Sequence, residues 1–355
     1  MYFKNVTAYQ ITKDLGLGKV LLDEHGDHKN GLDIFAALLA KKGFKECAST
    51  QMVSAGWVSP FHASDGEDMV LAGSGRVLFT LKTEQKEFSS AVLKKLVKAK
   101  ALKFEKEEGF KPGRKIMQGM KEDITAEKLP NCHTKETFLN GYISLKDNLL
   151  VIDTASDKAA DNFTALLRET IGSLPVTLPQ SNHSYSTAMT TWLSKPACPE
   201  AFYFGSNAKL ADVLVNEAGK ASFKDQDLLA EEVKGHIDAG KAVIEMGLGV
   251  CDVLGFTLTD DLKLKGLKWD KEFLNQGGDQ GDEDPLARMD ADFALMGGEL
   301  DKVILELFQE LQVESQFDED ADGMESLVRM NRLLLSIIKR EAEAAEKAKE
   351  AGEVC

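Results

Sequence analysis

"GFKPGRKIMQGMKED", residues 109–123, sets Lys111, Pro112, Gly113, Arg114 and Lys115 side by side. Pro112 lacks an amide hydrogen and Gly113 pays a high backbone-entropy cost in a helix, so the pair breaks any helix that reaches it. The apolar spacing is helical on both sides. Upstream, Ser89 or Ser90 opens a helix running to about Glu108, with Leu93, Leu96, Val97 and Phe104 inward. Downstream, Ile116, Met117, Met120 and Ile124 share one side of a second helix that stops before Pro130. "KPGRK" is then the turn at the tip of a projecting helical hairpin, and its cations cannot be buried by either helix.

The charge distribution sharpens that reading. The 355 residues carry a formal net charge of −15. Between Lys82 and Lys135, however, 13 Lys and one Arg face 8 acids, a local net of +6. Between Asp279 and Glu325, 16 acids face Arg288 and Lys302, a local net of −14. A basic arm and an acidic segment in one chain suit a partner with fixed charge better than a uniformly solvated surface does. No run of about 18 apolar residues predicts a membrane span, and "MYFKNVTAYQ" has neither the apolar centre nor the cleavage site of a signal peptide. Cys47, Cys132, Cys198, Cys251 and Cys355 are odd in number and form no CxxC, which predicts unpaired thiols in a reducing cytoplasm.

Working outward, the pattern is α+β: antiparallel sheets with packed helices. Residues 1–81 form a first α+β part, with a strand in "MYFKNVTAYQI", a helix in "NGLDIFAALLAKKG", and two short strands joined through Gly73-Ser74-Gly75. Residues 82–135 are the basic arm. Residues 136–312 form a second α+β part. It begins with a hairpin through Asp147-Asn148 and a helix capped by Ser156 and closed by Gly172. A helical region over 184–218 follows, then a helix in "DLLAEEVKGHIDAGK" and a three-stranded meander over 241–269. Leu262 and Leu264 alternate with Lys263 and Lys265 there, which predicts both lysines on the polar face. A long helix containing Gly297-Gly298 ends this part, and residues 313–355 are an acidic linker and a C-terminal helix.

Motifs for catalysis and cofactor binding fail on inspection. "GHIDAGKA", 235–242, has P-loop spacing, but Ala242 stands where magnesium needs a hydroxyl and the segment ends a helix instead of opening one. "DEDADG", 318–323, begins like a calcium loop, but Arg329 occupies the position of the bidentate Glu. Asp290 and Asp292 are two apart on a helix and so do not share a face. There is no GxSxG, and His62, His133, His183 and His236 lack a nucleophile's context. The expectation is a non-enzymatic protein without cofactor or metal.

A collinear set of segments resembles the bacterial RdgC family of recombination-associated proteins. It comprises "FKN" (3–5), "GWVSP" (56–60), "KPGRK" (111–115), "LLRETIGSLPV" (166–176), "QDLLAEEVKGHIDAGK" (226–241), "LTDDLKLKGLKW" (258–269) and "RMDADFALMGGEL" (288–300). The resemblance covers residues 1 to about 312, so the C-terminal segment is an extension. It implies a ring-shaped homodimer around duplex DNA, little sequence preference, cytoplasmic and nucleoid-associated location, and restraint of a RecA-type recombinase. Single-stranded DNA is a further expected partner. The phosphate contacts expected are Lys94, Lys95, Lys98, Lys111, Arg114, Lys115 and Lys121, then Lys224, Lys263 and Lys265. The resemblance places a dimer gate at His133, Lys135 and Gln226.

Four departures all point toward a weaker DNA surface. His133 stands where the family carries a Phe finger, Asp225 replaces a Lys, Gly266 an Arg, and Glu245 a position that can be Lys. A histidine at the gate also makes its closure pH-sensitive. The rival expectation is a diverged protein-interaction module that keeps weak DNA binding and acts through the acidic segment and the C-terminal helix.

Overall fold

A computed structural model of the chain describes residues 2–22, 28–61, 68–212, 219–276 and 285–352. His62, Cys355, the acids within 277–284 and the end of the region expected to be helical over 184–218 lie outside the described residues. In chain order the first elements are β1 (Thr7–Ile11), β2 (Val20–Leu22), β3 (His28–Asn30), α1 (Gly31–Lys41), β4 (Val53–Val58), β5 (Leu71–Gly73) and β6 (Arg76–Lys86). Next come α2 (Ser90–Glu108), α3 (Arg114–Lys128), a 3₁₀ turn at Leu129–Asn131, β7 (Thr134–Ser144), β8 (Leu149–Ile152), α4 (Asp157–Ile171) and β9 (Val176–Thr177). Then follow α5 (Tyr185–Ser194), β10 (Tyr203–Asp212), β11 (Ala221–Phe223), α6 (Glu231–Asp238), β12 (Lys241–Val250), β13 (Leu254–Thr259) and β14 (Leu264–Trp269). The last are α7 (Lys271–Gln276), α8 (Pro285–Glu310) and α9 (Gly323–Gly352).

The fold is α+β with antiparallel sheets. One sheet runs β4-β6-β7-β8-β1-β9 with β5 also on β6, a second runs β11-β10-β12-β13-β14, and β2 and β3 form a ribbon. Two compact units emerge: Met1–Leu38 with Ser59–Phe79 and Asn140–Cys355, and Leu39–Val58 with Thr80–Leu139. Strands β6 and β7 each supply residues to both.

In the first unit, the hairpin expected at Asp147-Asn148 pairs Tyr142 with Val151, and Asn148 takes the positive φ that such a turn demands. Ser156 caps α4 by accepting the Ala159 N–H, and Gly172 ends that helix in the left-handed region. Phe293, Met296, Leu300, Ile304 and Leu307 recur at helical spacing along α8 and are buried, with Tyr142 edge-on to Phe293. Helix α8 runs unbroken through Gly297-Gly298. A Cβ on Gly297 would come within 2.7 Å of Arg76 Cδ, so this glycine makes room for the arginine. Arg76 donates to buried Asp301 at 2.6 Å, and Tyr142 and Ser144 donate to the same carboxylate at 2.7 and 2.9 Å. Every polar group around that buried charge is thereby satisfied.

One expectation is corrected. Residues 203–212 are a strand, so the helix after 184 ends at Ser194; the bulge between Phe204 and Ala208 hides the strand's alternation. The acidic segment 313–322 links α8 to α9 without regular structure and is anchored at three points: Val313 bridges Ser181, the Asp318 N–H donates to the Thr12 carbonyl at 2.9 Å, and Lys19 reaches Asp322 at 2.5 Å. Helix α9 turns its apolar half inward, burying Leu327 and Met330, although Leu335 and Ile338 remain exposed.

Candidate nucleic-acid interface

Helices α2 and α3 belong to the second unit. Gly109 ends α2 in the left-handed conformation, its N–H returning to the Glu105 carbonyl, and Gly113 opens α3 from an extended conformation. The break expected at Pro112-Gly113 is where the chain turns. Burial within the pair is thin: Val97 on α2 and Met120 and Ile124 on α3 are buried, whereas Leu93, Leu96 and Phe104 are half-buried and Ile116 is exposed. Lys100 and Asp123 tie the helices at 2.9 Å.

Lys94, Lys95, Lys98, Lys111, Arg114, Lys115 and Lys121 are all exposed, and none has an acidic partner among the described residues. Lys94, Lys98, Lys111 and Lys121 surround one groove of about 610 Å³, floored by Leu93, Val97 and Met117. Their stems cover apolar surface while their ammonium groups stay in water. His133 is exposed, and its carbonyl accepts the Glu87 N–H at 2.7 Å; Lys135 is exposed at the start of β7.

The second-choice lysines lie in the first unit and fare differently. Lys263 is 5% exposed and is held between Asp157 and Asp261. This corrects the expectation that it faces outward with Lys265. Leu262 takes φ +61 and Thr259 and Lys263 close a turn, so strand alternation begins only at Leu264. A phosphate would have to displace two carboxylates to reach this ammonium. Burial opposes its charge, but the two carboxylates prevail and hold it above the usual lysine value. Lys265 is half-exposed and shares Glu245 with Lys209, at 3.2 and 2.6 Å. Burial works against the Glu245 charge, yet these two lysines keep its carboxyl below the ordinary range. Lys224 is exposed without an acidic partner among the described residues, and the Gln226 side chain donates to Glu232.

Sequence reasoning missed Tyr203 and Lys268, which line a second cavity, of about 440 Å³, with Lys224. The available signal was "GLG" at 247–249: alternate glycines in a strand let another side chain approach the backbone closely on one face, as Tyr203 does over Gly249.

For catalysis, the arrangement offers little. Lys241 of the P-loop-like stretch begins a strand, behind Gly240 at φ +91, so no helix N-terminus stands there to cradle phosphate. Among the described residues no three His, Cys, Asp or Glu side chains gather as a metal site. Also among them, no helix is long and apolar enough to cross a membrane.

Comparison with known proteins agrees with the segments quoted above. The family model described as "Putative exonuclease, RdgC" matches residues 1–314. The recombination-associated protein RdgC of Tolumonas auensis is 36% identical over 309 residues, covering 86% of this chain and 97% of that protein. Its namesake from Pseudoalteromonas atlantica is 33% identical over 311 residues, 87% of this chain and 98% of that protein. That of Aeromonas hydrophila is 32% identical over 316 residues, 89% and 99% respectively. With a family match across nearly nine-tenths of its length and relatives aligned almost end to end, the chain belongs to the RdgC family.

Proposed function

We propose that this protein is a non-enzymatic, sequence-independent DNA-binding protein that closes as a homodimeric ring on duplex DNA and modulates homologous recombination by restraining a RecA-type recombinase. The observation that carries the reading is the condition of the seven cations on α2, α3 and their turn: exposed, and without acidic partners among the described residues. Such a cation gives up no ion pair on meeting a phosphate, and each contact releases a condensed counterion. The net charge of −15 then keeps DNA away from the remaining surface. The relatives' name, recombination-associated, supports the setting, and the family resemblance supplies the ring, the recombinase and the nucleoid. Lys224 and Lys265 are secondary contacts, and His133, Lys135 and Gln226 form the gate.

The test is binding to a labelled duplex across a salt series, for the wild type and for Lys111→Glu/Arg114→Glu/Lys115→Glu. The wild type binds with steep salt dependence. The variant loses ~100-fold or more at low salt, and its log–log slope falls by about 0.9 for each phosphate contact removed. An unchanged slope would refute the assignment of these residues. Prolonged incubation with magnesium or manganese leaves the duplex intact if the protein is non-enzymatic, and degradation would favour the exonuclease description.

A second reading, a protein-interaction module, draws on exposed Leu335 (48%) and Ile338 (45%) of α9. Contacts of that kind barely respond to salt, so the same titration separates the two.

A further inference from the structure

The five-stranded sheet packs one face into the core, and on the other its glycines let side chains lie down on the backbone. Ala208, Leu210, Met246, Leu248, Phe256 and Leu258 point into the core. On the opposite face strand pairing sets Tyr203 beside Gly249, Gly249 beside Gly255, and Gly247 beside Thr257. Tyr203 and Asn207 lie over Gly249 and Gly247, which are buried beneath them, and Gly255 is left as the open backbone beside them. A Cβ on Gly249 would fall 2.3 Å from Tyr203 Cζ, and one on Gly247 would fall 2.4 Å from Asn207 Oδ1. The bulge in β10 turns Asn207 across the sheet, where its amide donates to Thr257 Oγ1 at 3.0 Å.

The product is a shallow cavity of about 440 Å³ with a backbone floor. Tyr203, 46% exposed, stands at its edge, and Lys224 and Lys268 are both exposed on its lining without acidic partners among the described residues. Lys209 and Lys265 already neutralise Glu245 on the same face. Asp225 is the one acid on the cavity's own lining, set against Lys224 and Lys268; Asp252, Asp270, Lys271 and Glu272 lie in the adjoining cavity beyond Tyr203.

The geometry points to a platform for single-stranded nucleic acid: an unstacked base stacks on the exposed ring of Tyr203 beside Gly255, and its flanking phosphates meet Lys224 and Lys268. A planar heterocycle needs a flat surface with no Cβ in its way, and an aromatic side chain on an open sheet face is a general device for stacking bases. A base inside a duplex has both faces covered by its neighbours, so duplex DNA offers this surface only phosphates. The proposal rests on the nucleic-acid reading above for the class of ligand alone. Apart from Lys224 and Lys265, which that reading holds as secondary contacts, its residues are new.

The full-length protein is titrated with a short labelled oligothymidylate and, separately, with a duplex. Tyr203→Ala weakens oligothymidylate binding by ~10-fold or more, Tyr203→Phe retains it within about twofold, and neither changes duplex binding. Gly255→Val gives a second route. An added Cβ there meets nothing nearer than 3.9 Å, so a side chain has room to start on the open backbone; this variant, its fold checked by circular dichroism, also loses the single strand. Lys224→Glu/Lys268→Glu flattens the salt dependence of single-strand binding. Wild type that binds the single strand but not the duplex keeps this proposal and overturns the duplex ring. The proposal fails if wild type does not bind oligothymidylate, if Tyr203→Ala and Gly255→Val bind it as wild type does, or if both ligands weaken together.

Discussion

Lys98 and Lys263 have the same side chain in opposite circumstances. Lys98 stands exposed on α2 with no acidic partner among the described residues, whereas Lys263 is 5% exposed between Asp157 and Asp261. The contrast extends to their surroundings. The helix pair buries little and, although Lys100, Lys103 and Lys128 are ion-paired, leaves seven cations without acidic partners among the described residues, while the first unit binds Arg76, Lys209, Lys263 and Lys265 into ion pairs beside a large apolar core. The difference teaches that a count of lysines does not measure affinity for an anion; what matters is how many lysines have nothing to give up.

The largest expected effect that bears on this contrast is on stability in the first unit. Asp301→Ala leaves Arg76, 13% exposed, without its carboxylate and Tyr142 and Ser144 without their acceptor. Chemical denaturation should register a loss of ~3–5 kcal/mol, with duplex binding of the folded fraction unchanged. A loss below about 1 kcal/mol would mean that this pair holds the fold no more than a surface pair does.

A smaller effect follows from Glu245. Its folded-state carboxyl titrates below the ordinary value of 4.5, so the protein gains stability from it above that value and loses the gain as pH falls through the folded pKa. Glu245→Gln should therefore flatten the acid limb of the stability–pH profile by on the order of 1 kcal/mol. An unaltered acid limb would place the two lysines among the free cations.

The smallest stability effect belongs to the helix pair. Lys94→Gln/Lys98→Gln should move the denaturation free energy by less than ~0.5 kcal/mol while weakening duplex binding severalfold. A clear destabilisation would erase the distinction between the two regions.

How far the sequence could be read depended on whether a local signal controlled the local structure. The helix pair was legible because Pro112-Gly113 cannot be overridden and the apolar spacing on each side is regular. The meander over 241–269 was legible through alternation and is present as β12, β13 and β14. Strand β10 was not, because its bulge inserts Gly205, Ser206 and Asn207 out of phase. Lys263 was misplaced because alternation was carried backward through Leu262, whose positive φ ends it. The seven cations were found from charge and turn chemistry. Their freedom from partners, and the placing of Tyr203 over Gly249, depend on contacts that no local pattern encodes.

The family match stops at residue 314, yet Gly16, at φ +73, sits so close to the later chain that a Cβ would fall 2.3 Å from the Gly323 carbonyl oxygen. Lys19 holds Asp322, and Leu327 packs against the same turn. The segment beyond the family's common length has thus become a condition on residues near the N-terminus. Deleting it would uncover a turn whose backbone is fitted to that cover, so residues 1–314 taken alone would present a surface that this chain never exposes.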